Sequence, residues 1–206
     1  MKSVIIIPDR CIGCKQCEIA CSVEHSKSKN IYSSVFETPK SAPRIFVLPG
    51  DHSCFSFPNK CRHCDPAPCL MICPTGAIYK DSSIILVDPT RCIGCRMCAM
   101  VCPFYVIRYR ESPDIVERYV ATKCDGCIDR IKKGNIPACV ETCKTGAILF
   151  DDLNKILKEK GLNFAKKVFL VQKEGKKIDV LQEKNCYNML QELKEKLYRT
   201  MVVEDE

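Results

Sequence analysis

Four groups of cysteines constrain this chain more than any other feature of its sequence. Sixteen of its eighteen cysteines fall into these groups, two of which lie in the nearly identical runs RCIGCKQCEIAC and RCIGCRMCAMVC. In chain order the groups are Cys11, Cys14, Cys17, Cys21; Cys61, Cys64, Cys69, Cys73; Cys92, Cys95, Cys98, Cys102; and Cys124, Cys127, Cys139, Cys143. Groups one and three follow the spacing C-x2-C-x2-C-x3-C, whereas the middle gap widens to four residues in group two and to eleven in group four.

The sequence favours metal binding over disulfides. The chain has 206 residues, enough for one or two domains. A disulfide scaffold would require a secreted protein, but the N-terminal MKSVIIIPDRC offers only a short apolar run at residues 4–7 and no signal peptide. No stretch approaches the roughly 18 apolar residues of a membrane helix. We therefore expect a soluble, cytoplasmic protein with no direct membrane span.

The spacing C-x2-C-x2-C-x3-C is typical of 4Fe-4S clusters: three close thiolates bind one cluster, and the fourth binds its neighbour. The proline that usually follows is present as Pro74 and Pro103, whereas Ser22 and Lys144 replace it after groups one and four. Crossing the fourth ligands predicts four 4Fe-4S clusters. Their ligands are Cys11, Cys14, Cys17 and Cys143 (the Cys11 site); Cys124, Cys127, Cys139 and Cys21 (the Cys124 site); Cys61, Cys64, Cys69 and Cys102 (the Cys61 site); and Cys92, Cys95, Cys98 and Cys73 (the Cys92 site).

Zinc is the alternative metal, because C-x2-C pairs also bind zinc. Zinc sites usually draw two such pairs from either side of a loop, which compact runs of four cysteines fit poorly. A zinc-binding scaffold is therefore a remote alternative.

The formal charge of +7 invites a nucleic-acid interpretation. That charge treats every cysteine as neutral, however. Four clusters of charge about −2 each would bring the total to about −1. The basic excess then compensates the clusters, and we expect no nucleic-acid partner.

The residues around the groups predict how the chain is organised. Groups one and three are preceded by a turn and RCIGC, whereas groups two and four are followed by TGAI. Groups two and three, joined by AIYKDSSIILVD as two strands across a polar turn, have the order seen in a bacterial two-cluster ferredoxin. Groups four and one would form the same unit if the chain were cut and rejoined.

The predicted fold class is therefore α+β, with two bacterial-ferredoxin-like modules, each holding two 4Fe-4S clusters, and one inserted in the other. Module A comprises residues 1–30 and 115–150, and the inserted module B comprises residues 59–114. Residues 31–58 form a connecting segment that wraps the inserted module, with an edge strand at residues 45–48 at most. Residues 151–206 form a small C-terminal extension.

The extension is predicted to contain a hairpin and a terminal helix. Asp151 or Asp152 can cap a short helix that ends at Gly161. Residues 167–173 and 177–181 alternate as two strands of a hairpin. An amphipathic helix then carries an apolar stripe that packs on its own domain or on a partner subunit; the stripe is Cys186, Leu190, Leu193, Leu197 and Met201.

The cysteine count favours electron transfer over catalysis. Sixteen thiolates on four clusters leave no iron free for substrate, and the sequence contains no G-x-G, P-loop or G-x-S-x-G motif. His63, between Cys61 and Cys64, is a candidate for tuning a cluster through a hydrogen bond, or is simply a structural histidine. Cys54 and Cys186 are expected to be structural thiols.

The runs CIGCKQCEIACSVEHS, CRHCDPAPCLMICPTGAI, CIGCRMCAMVCP and KCDGC...ACVETC resemble the four-cluster ferredoxin-like subunits of bacterial oxidoreductases. These are the beta subunits of formate dehydrogenase, dimethyl sulfoxide reductase and hydrogenase systems. The resemblance covers roughly residues 1–150 and implies the same cross-pairing of cysteines. Within the family, ACSVEHSKSKNIY followed by SAPRIFV looks most like the CooF type associated with carbon monoxide dehydrogenase.

This resemblance implies a non-catalytic electron-transfer subunit that carries electrons through four clusters. The implied donor is the catalytic subunit of carbon monoxide dehydrogenase, and the acceptor is a hydrogenase or reductase. The alternative is a beta subunit of formate dehydrogenase or of a hydrogen-dependent carbon dioxide reductase. Some relatives are exported with a partner that carries the signal, so the cytoplasmic location stays an expectation.

Overall fold

The computed structural model describes residues 2–50, 56–112 and 118–174. The helices are α1 (Gln16–Glu24), α2 (Ile31–Ser34), α3 (Pro68–Met71), α4 (Met97–Met100), α5 (Ile128–Lys132), α6 (Ala138–Glu141) and α7 (Leu153–Glu174), with a 3-10 turn at Pro8–Arg10. The strands are β1 (Lys2–Ile6), β2 (Ile45–Pro49), β3 (Ser56–Lys60), β4 (Ile78–Asp81), β5 (Ile84–Val87), β6 (Arg108–Glu111), β7 (Tyr119–Thr122) and β8 (Ile148–Asp152). Mixed short helices and strands are consistent with the predicted α+β class.

The described strands form antiparallel pairs: β1 with β8, β2 with β3, β4 with β5 and β6 with β7. The predicted hairpin in AIYKDSSIILVD is the β4–β5 pair, in which Ile78 lies opposite Val87. Apolar residues of that hairpin face the interior, since Ile78 and Ile85 are buried. The alternation of apolar and polar residues therefore predicted this hairpin correctly.

Two strands from distant parts of the chain pair beside the first and fourth cysteine groups. Ile6 of β1 lies opposite Ile148 of β8, and helix α1 packs on helix α6. In the middle of the chain, helix α3 packs on helix α4. Helix α1 carries Cys17 and Cys21 and helix α6 carries Cys139. Helix α3 carries Cys69 and helix α4 carries Cys98.

The buried residues form two clusters that follow the same division except at β7, whose Val120 and Ala121 belong to the cluster of groups two and three. One cluster contains cysteines of groups two and three with Ile85, Val106 and Ile107. The other contains Cys17, Cys21 and Cys139 with Ile45 and Ile148. The cysteines are part of both cores, because short helices and two-stranded ladders supply few other apolar side chains.

The connecting segment differs from the prediction. It forms a helix, α2, and two paired strands, β2 and β3, rather than one edge strand. Ile45 is 1% exposed and packs with Cys17 and Cys21, so the segment completes the core around groups one and four. It also reaches the other half of the molecule, since the Arg108 guanidinium lies 4.9 Å from the centre of the Phe46 ring. The segment therefore packs between the two halves instead of only wrapping one of them.

The C-terminal extension also differs. A single helix, α7, runs from Leu153 to Glu174, so the predicted stop at Gly161 and the predicted strand at residues 167–173 are wrong. A methyl group at Gly161 would meet no atom within 4 Å, which places this glycine on an open helix face. A lone glycine costs a helix about 1 kcal/mol and does not end it without a left-handed cap. The predicted N-cap is confirmed, because the Asn154 backbone N–H donates to Asp152 Oδ1 at 3.0 Å.

Several predicted features lie outside the described residues: the strand at residues 177–181, the terminal helix with Cys186, and Cys54. Across the described ranges, no helix is long and apolar enough to cross a membrane.

Candidate iron-sulfur sites

Each C-x-x-C pair turns through a residue with positive φ. In groups one, three and four this residue is Gly13, Gly94 or Gly126, with φ of 73°, 72° and 69°. In group two it is His63, with φ of 51°. Glycine adopts this left-handed conformation without steric cost. At Gly94 a Cβ atom would also lie 2.8 Å from the carbonyl oxygen of Tyr119, so this turn has no room for a side chain.

Groups two and three meet around two small cavities. One cavity is lined by all four cysteines of the predicted Cys61 site, together with Phe104 and Lys123. The other is lined by all four cysteines of the predicted Cys92 site, together with Tyr109. In each cavity, three of the cysteines come from one group and the fourth comes from the other group.

Groups one and four are brought together by helices α1 and α6. Burial, together with the neighbouring thiolates of Cys124 and Cys127, raises the pKa of Cys21 to about 12. Burial likewise raises the pKa of Cys139, with Cys21 among its neighbours. Cys11 and Cys143 both pack against the core cluster that contains Cys17. The structure therefore places Cys21 beside group four and Cys143 beside group one.

The cysteines differ in their access to solvent. Cys14 and Cys95, the second cysteines of groups one and three, are exposed. The remaining fourteen are buried or half-buried. Large apolar residues near these cysteines in the sequence are also exposed: Ile12 and Ile19 near Cys14, and Ile93 and Met97 near Cys95. Groups one and three thus expose the cysteine at the same position of the motif.

Backbone donors point at the sulfur atoms, as a thiolate-ligated metal centre requires. The N–H of Arg44 donates to Cys21 Sγ at 3.2 Å. Three further backbone N–H groups donate to sulfur at 3.4 Å, which are those of His63 to Cys61, Ala121 to Cys92 and Gly126 to Cys124. These donors stabilise negative charge on sulfur, so they fit thiolate ligands better than neutral thiols.

The raised pKa values of the buried thiols show that a bound metal centre must supply positive charge to stabilise the thiolates. Burial raises the pKa of Cys17 and that of Cys127 to about 11, and it also raises the pKa of Cys69 and Cys98. At neutral pH these thiols hold their protons unless a cation compensates the thiolate. Iron does so, and its binding releases the protons. The donor set of this chain therefore fits 4Fe-4S clusters.

A polar network beside Cys21 escaped the sequence analysis. His25 Nδ1 lies 2.7 Å from the Cys21 carbonyl oxygen, and its Nε2 lies 3.1 Å from Asp125. Asp125 also accepts from the Arg44 guanidinium at 2.5 Å. Burial alone would raise the pKa of Asp125, but the hydrogen bond from His25 and the charge of Arg44 hold it well below its usual range. Sequence separation hides this network, since its members are up to a hundred residues apart.

Three other polar side chains contact the sites. Tyr109 Oη lies 3.1 Å from Cys98 Sγ, and no motif predicts that contact. Lys60 and Lys123 are buried next to Cys61 and Cys124. A signal for the lysines was present, because groups two and four are each preceded by lysine and groups one and three by arginine.

His63 lies where the sequence placed it, between two ligands. Its Nδ1 accepts from the Ile85 backbone N–H at 3.1 Å, so the proton of the neutral ring is on Nε2. Burial, with the positive charges of Lys123 and Lys60, lowers the pKa of His63 to about 3 and keeps the ring neutral. Among the described residues, Nε2 is buried with no hydrogen-bond partner.

Known proteins share this cysteine pattern. Residues 52–153 match the model of a 4Fe-4S dicluster domain, and residues 8–24 match a 4Fe-4S binding domain. The chain is 40% identical to an iron-sulfur protein of Rhodospirillum rubrum over 155 residues, which are 71% of this chain and 80% of that protein.

Two further relatives carry names that describe electron transfer. The electron transport protein HydN of Escherichia coli K12 is 36% identical over 163 residues, or 74% of this chain and 89% of HydN. The thiosulfate reductase electron transfer subunit PhsB of Salmonella typhi is 40% identical over 152 residues, or 71% of this chain and 73% of PhsB. Both names describe proteins that carry electrons. The chain therefore belongs to the family of ferredoxin-like electron-transfer proteins and subunits that carry 4Fe-4S clusters.

Proposed function

We propose that the sixteen grouped cysteines hold four 4Fe-4S clusters in the crossed sets named above. The two cavities that each collect four cysteines from groups two and three support this assignment for the Cys61 and Cys92 sites. The position of Cys21 beside Cys124 and Cys127 supports it for the outer pair. When bound, such clusters take up and release single electrons.

We further propose that groups two and three form a module inserted into a module built from groups one and four. The pairing of β1 with β8 and the packing of α1 on α6 support this topology, because both join the two ends of the core. The division of the buried residues into two clusters supports it as well.

The function that the geometry supports best is an electron wire, that is, electron transfer through a row of four cluster sites. The first and last sites of the row each have a cysteine exposed to solvent. The observation that carries it is the exposure of Cys14 and Cys95, which belong to different modules. Between them, Cys61 and Cys124 are close enough for their charges to interact, and both act on Arg62. The order is then Cys11 site, Cys124 site, Cys61 site and Cys92 site. The apolar residues around the two exposed cysteines would contact the donor and the acceptor.

His63 is proposed as a tuning residue at the junction of the two modules. Its backbone N–H donates to Cys61 Sγ at 3.4 Å, and its neutral ring offers an Nε2–H near the turn that contains Gly126. Hydrogen bonds to cluster sulfur raise a reduction potential. Because His63 has a positive φ, glycine can replace it without backbone strain. The substitution His63→Gly therefore removes the imidazole and keeps the backbone conformation.

The proposed donor is a carbon monoxide dehydrogenase and the proposed acceptor a hydrogenase or reductase, in the cytoplasm. This narrower proposal rests on the resemblance of the segments ACSVEHSKSKNIY and SAPRIFV. A formate dehydrogenase or hydrogen-dependent carbon dioxide reductase is the alternative partner. PhsB, one of the similar proteins, is named as the electron transfer subunit of a thiosulfate reductase.

The ligand assignment is tested by metal content in anaerobically purified protein. We expect Cys64→Ser to lower iron and sulfide by about a quarter or to change the spectrum of one cluster, since one of four sites loses a thiolate. Cys186→Ser is the control and should leave both contents unchanged. Equal effects of the two substitutions would contradict the assignment.

The donor is tested by mixing the full chain with purified carbon monoxide dehydrogenase or formate dehydrogenase and adding the respective substrate. Rapid loss of visible cluster absorption with carbon monoxide alone would support the narrow proposal. Loss with formate alone would overturn the choice of donor and keep the wire. No loss with either, in protein that dithionite reduces normally, would overturn both donors.

A further inference from the structure

Two buried lysines lie at the junction of the two modules. Lys60 directly precedes Cys61 and Lys123 directly precedes Cys124, and each is 4% exposed. Lysine is almost never fully buried unless its charge is compensated. Two such residues in equivalent positions of two cysteine groups therefore need an explanation.

Neutral backbone groups are the hydrogen-bond partners of both ammonium groups. Lys60 Nζ donates to the Cys61 carbonyl oxygen at 3.0 Å. Lys123 Nζ donates to the Cys124 carbonyl oxygen at 3.2 Å and to that of Ile85. In residues 2–50, 56–112 and 118–174, neither lysine forms an ion pair with a carboxylate. The compensating negative charge must come from another source.

The cysteine sites are that source, and the arrangement is crossed. Lys123, which belongs to group four, lines the cavity of the Cys61 site beside Cys61 and Cys69. Lys60, which belongs to group two, lines a cavity beside Gly126, the turn residue between Cys124 and Cys127 of the Cys124 site. Each lysine thus faces the site of the opposite module.

A positive charge held in a poorly solvated place acts strongly on its neighbours, because little water screens it. A 4Fe-4S centre with four thiolates carries about −2 when oxidised and one more negative charge when reduced. Lys60 and Lys123 therefore favour the reduced form of the site that each faces. The same charge on an exposed side chain would be screened by solvent.

We propose that Lys60 and Lys123 are crossed counter-charges, each of which raises the reduction potential of the central cluster in the opposite module. Lys60 acts on the Cys124 site and Lys123 on the Cys61 site. The two lysines keep the central step of the wire accessible to electrons that arrive at either end. This inference rests on the ligand sets proposed above.

The test is an EPR-monitored redox titration of the full chain with its clusters in place. Lys123→Met keeps the length and apolar stem of the side chain and removes the charge. We expect at least a tenfold shift of one reduction equilibrium toward the oxidised form, which is about 59 mV for one electron. Lys60→Met should shift a different cluster. Lys144→Met is the matched control, because Lys144 directly follows Cys143 and is exposed; it should shift none.

The shifted clusters are identified by changing one ligand of each central site. Cys64→Ser alters the EPR signal of the Cys61 site, and Cys127→Ser alters that of the Cys124 site. Lys123→Met should move the potential of the signal that Cys64→Ser alters, and Lys60→Met the other. A shift of each lysine's own site instead of the opposite one would overturn the crossed arrangement. Unchanged potentials in protein with full iron content would overturn the inference and leave the proposed electron-transfer function intact.

A second pair of variants separates loss of charge from loss of side-chain packing. If a methionine variant loses a cluster, Lys123→Arg and Lys60→Arg test whether charge or packing is responsible. Retention of the cluster and of its potential with arginine supports the counter-charge. Loss with arginine as well as with methionine would overturn it, because side-chain packing would then be the cause.

Discussion

The chemistry of the sites depends on individual side chains that touch sulfur. The sequence identified the cysteines, because their spacing is itself the signal, but it did not identify the groups that tune them. Tyr109 lies in an ordinary strand, eleven residues past Cys98, and its contact with Cys98 arises only when β6 folds back over group three. His25, Arg44 and Asp125 come from three separate segments. Sequence spacing carries no information about such contacts.

Tyr109→Phe should lower the reduction potential of the Cys92 site. The phenol lies 3.1 Å from Cys98 Sγ, and burial together with that contact raises the pKa of Tyr109, so the hydroxyl keeps its proton and donates. Removal of a hydrogen bond to sulfur destabilises the more negative, reduced form. EPR-monitored titration measures the potential, and Tyr119→Phe, at an exposed tyrosine, is the control. An unchanged potential in Tyr109→Phe would contradict the role.

The secondary-structure elements show where local patterns sufficed and where they failed. The hairpin β4–β5 follows from strict alternation across a polar turn. The helix α7 was misjudged, because residues 167–173 alternate over a short stretch while Leu153, Leu157, Phe164 and Val168 recur at helical spacing over a longer one. The longer period decided the structure. Strand β2 gained a partner, β3, that contains Pro58 and therefore lacks the usual strand signal.

Gly161→Ala should stabilise α7 by about 1 kcal/mol, because alanine is the better helix former and its methyl group would meet open space. Gly94→Ala should have the opposite effect, since Gly94 has φ of 72° and lies against the Tyr119 carbonyl oxygen. Helical circular dichroism during guanidinium unfolding and iron content measure the two effects. Loss of helical signal in Gly161→Ala would argue against a continuous helix.

Three helices are joined by one arginine. Arg130 Nη1 of α5 lies 2.8 Å from Glu24 of α1, and its Nη2 bonds Glu141 of α6. Burial acts to raise the pKa of Glu24, but the hydrogen bonds and positive charges of Arg130 and Lys29 together outweigh burial, so the net pKa is lowered. A carboxylate with a lowered folded-state pKa stabilises the protein above its unfolded pKa of about 4.3, and that stabilisation is lost as the pH falls through the folded-state value.

Arg130→Met should therefore speed anaerobic loss of the clusters in guanidinium at pH about 7 by about fivefold, which corresponds to about 1 kcal/mol. The ratio between variant and wild type should approach one as the pH falls below the unfolded pKa of glutamate. Visible absorption follows the loss. Glu24→Gln should remove most of the effect of Arg130→Met in a double-mutant comparison, and full additivity of the two substitutions would contradict the ion pair.

The molecule as a whole is built around its cysteines. They form much of both buried clusters, alongside few large apolar side chains. The backbone turns that hold them are left-handed at four equivalent positions. A chain with so small a core depends on its metal for folding energy.

Removal of iron should therefore unfold the described core. Treatment of the reduced protein with a strong iron chelator should abolish the visible absorption and most of the slow amide hydrogen exchange in β1, β8 and the β4–β5 hairpin. Reconstitution with iron and sulfide should restore both signals. Protected amides that persist in fully iron-free protein would show a core that is stable by itself.

The sequence by itself determined the 4Fe-4S cofactor, because cluster ligation places cysteines at short, repeated intervals that local spacing reveals. It also predicts the crossed ligand sets and the order of modules that we propose. It also determined the central hairpin, for the same reason. Tertiary structure decided how the two halves of the molecule contact each other and which cysteines are exposed to solvent. It also decided which cysteine sites the buried Lys60 and Lys123 lie beside. Those features depend on contacts between residues far apart in the chain, and each side chain reaches across to the opposite module only after both modules have folded.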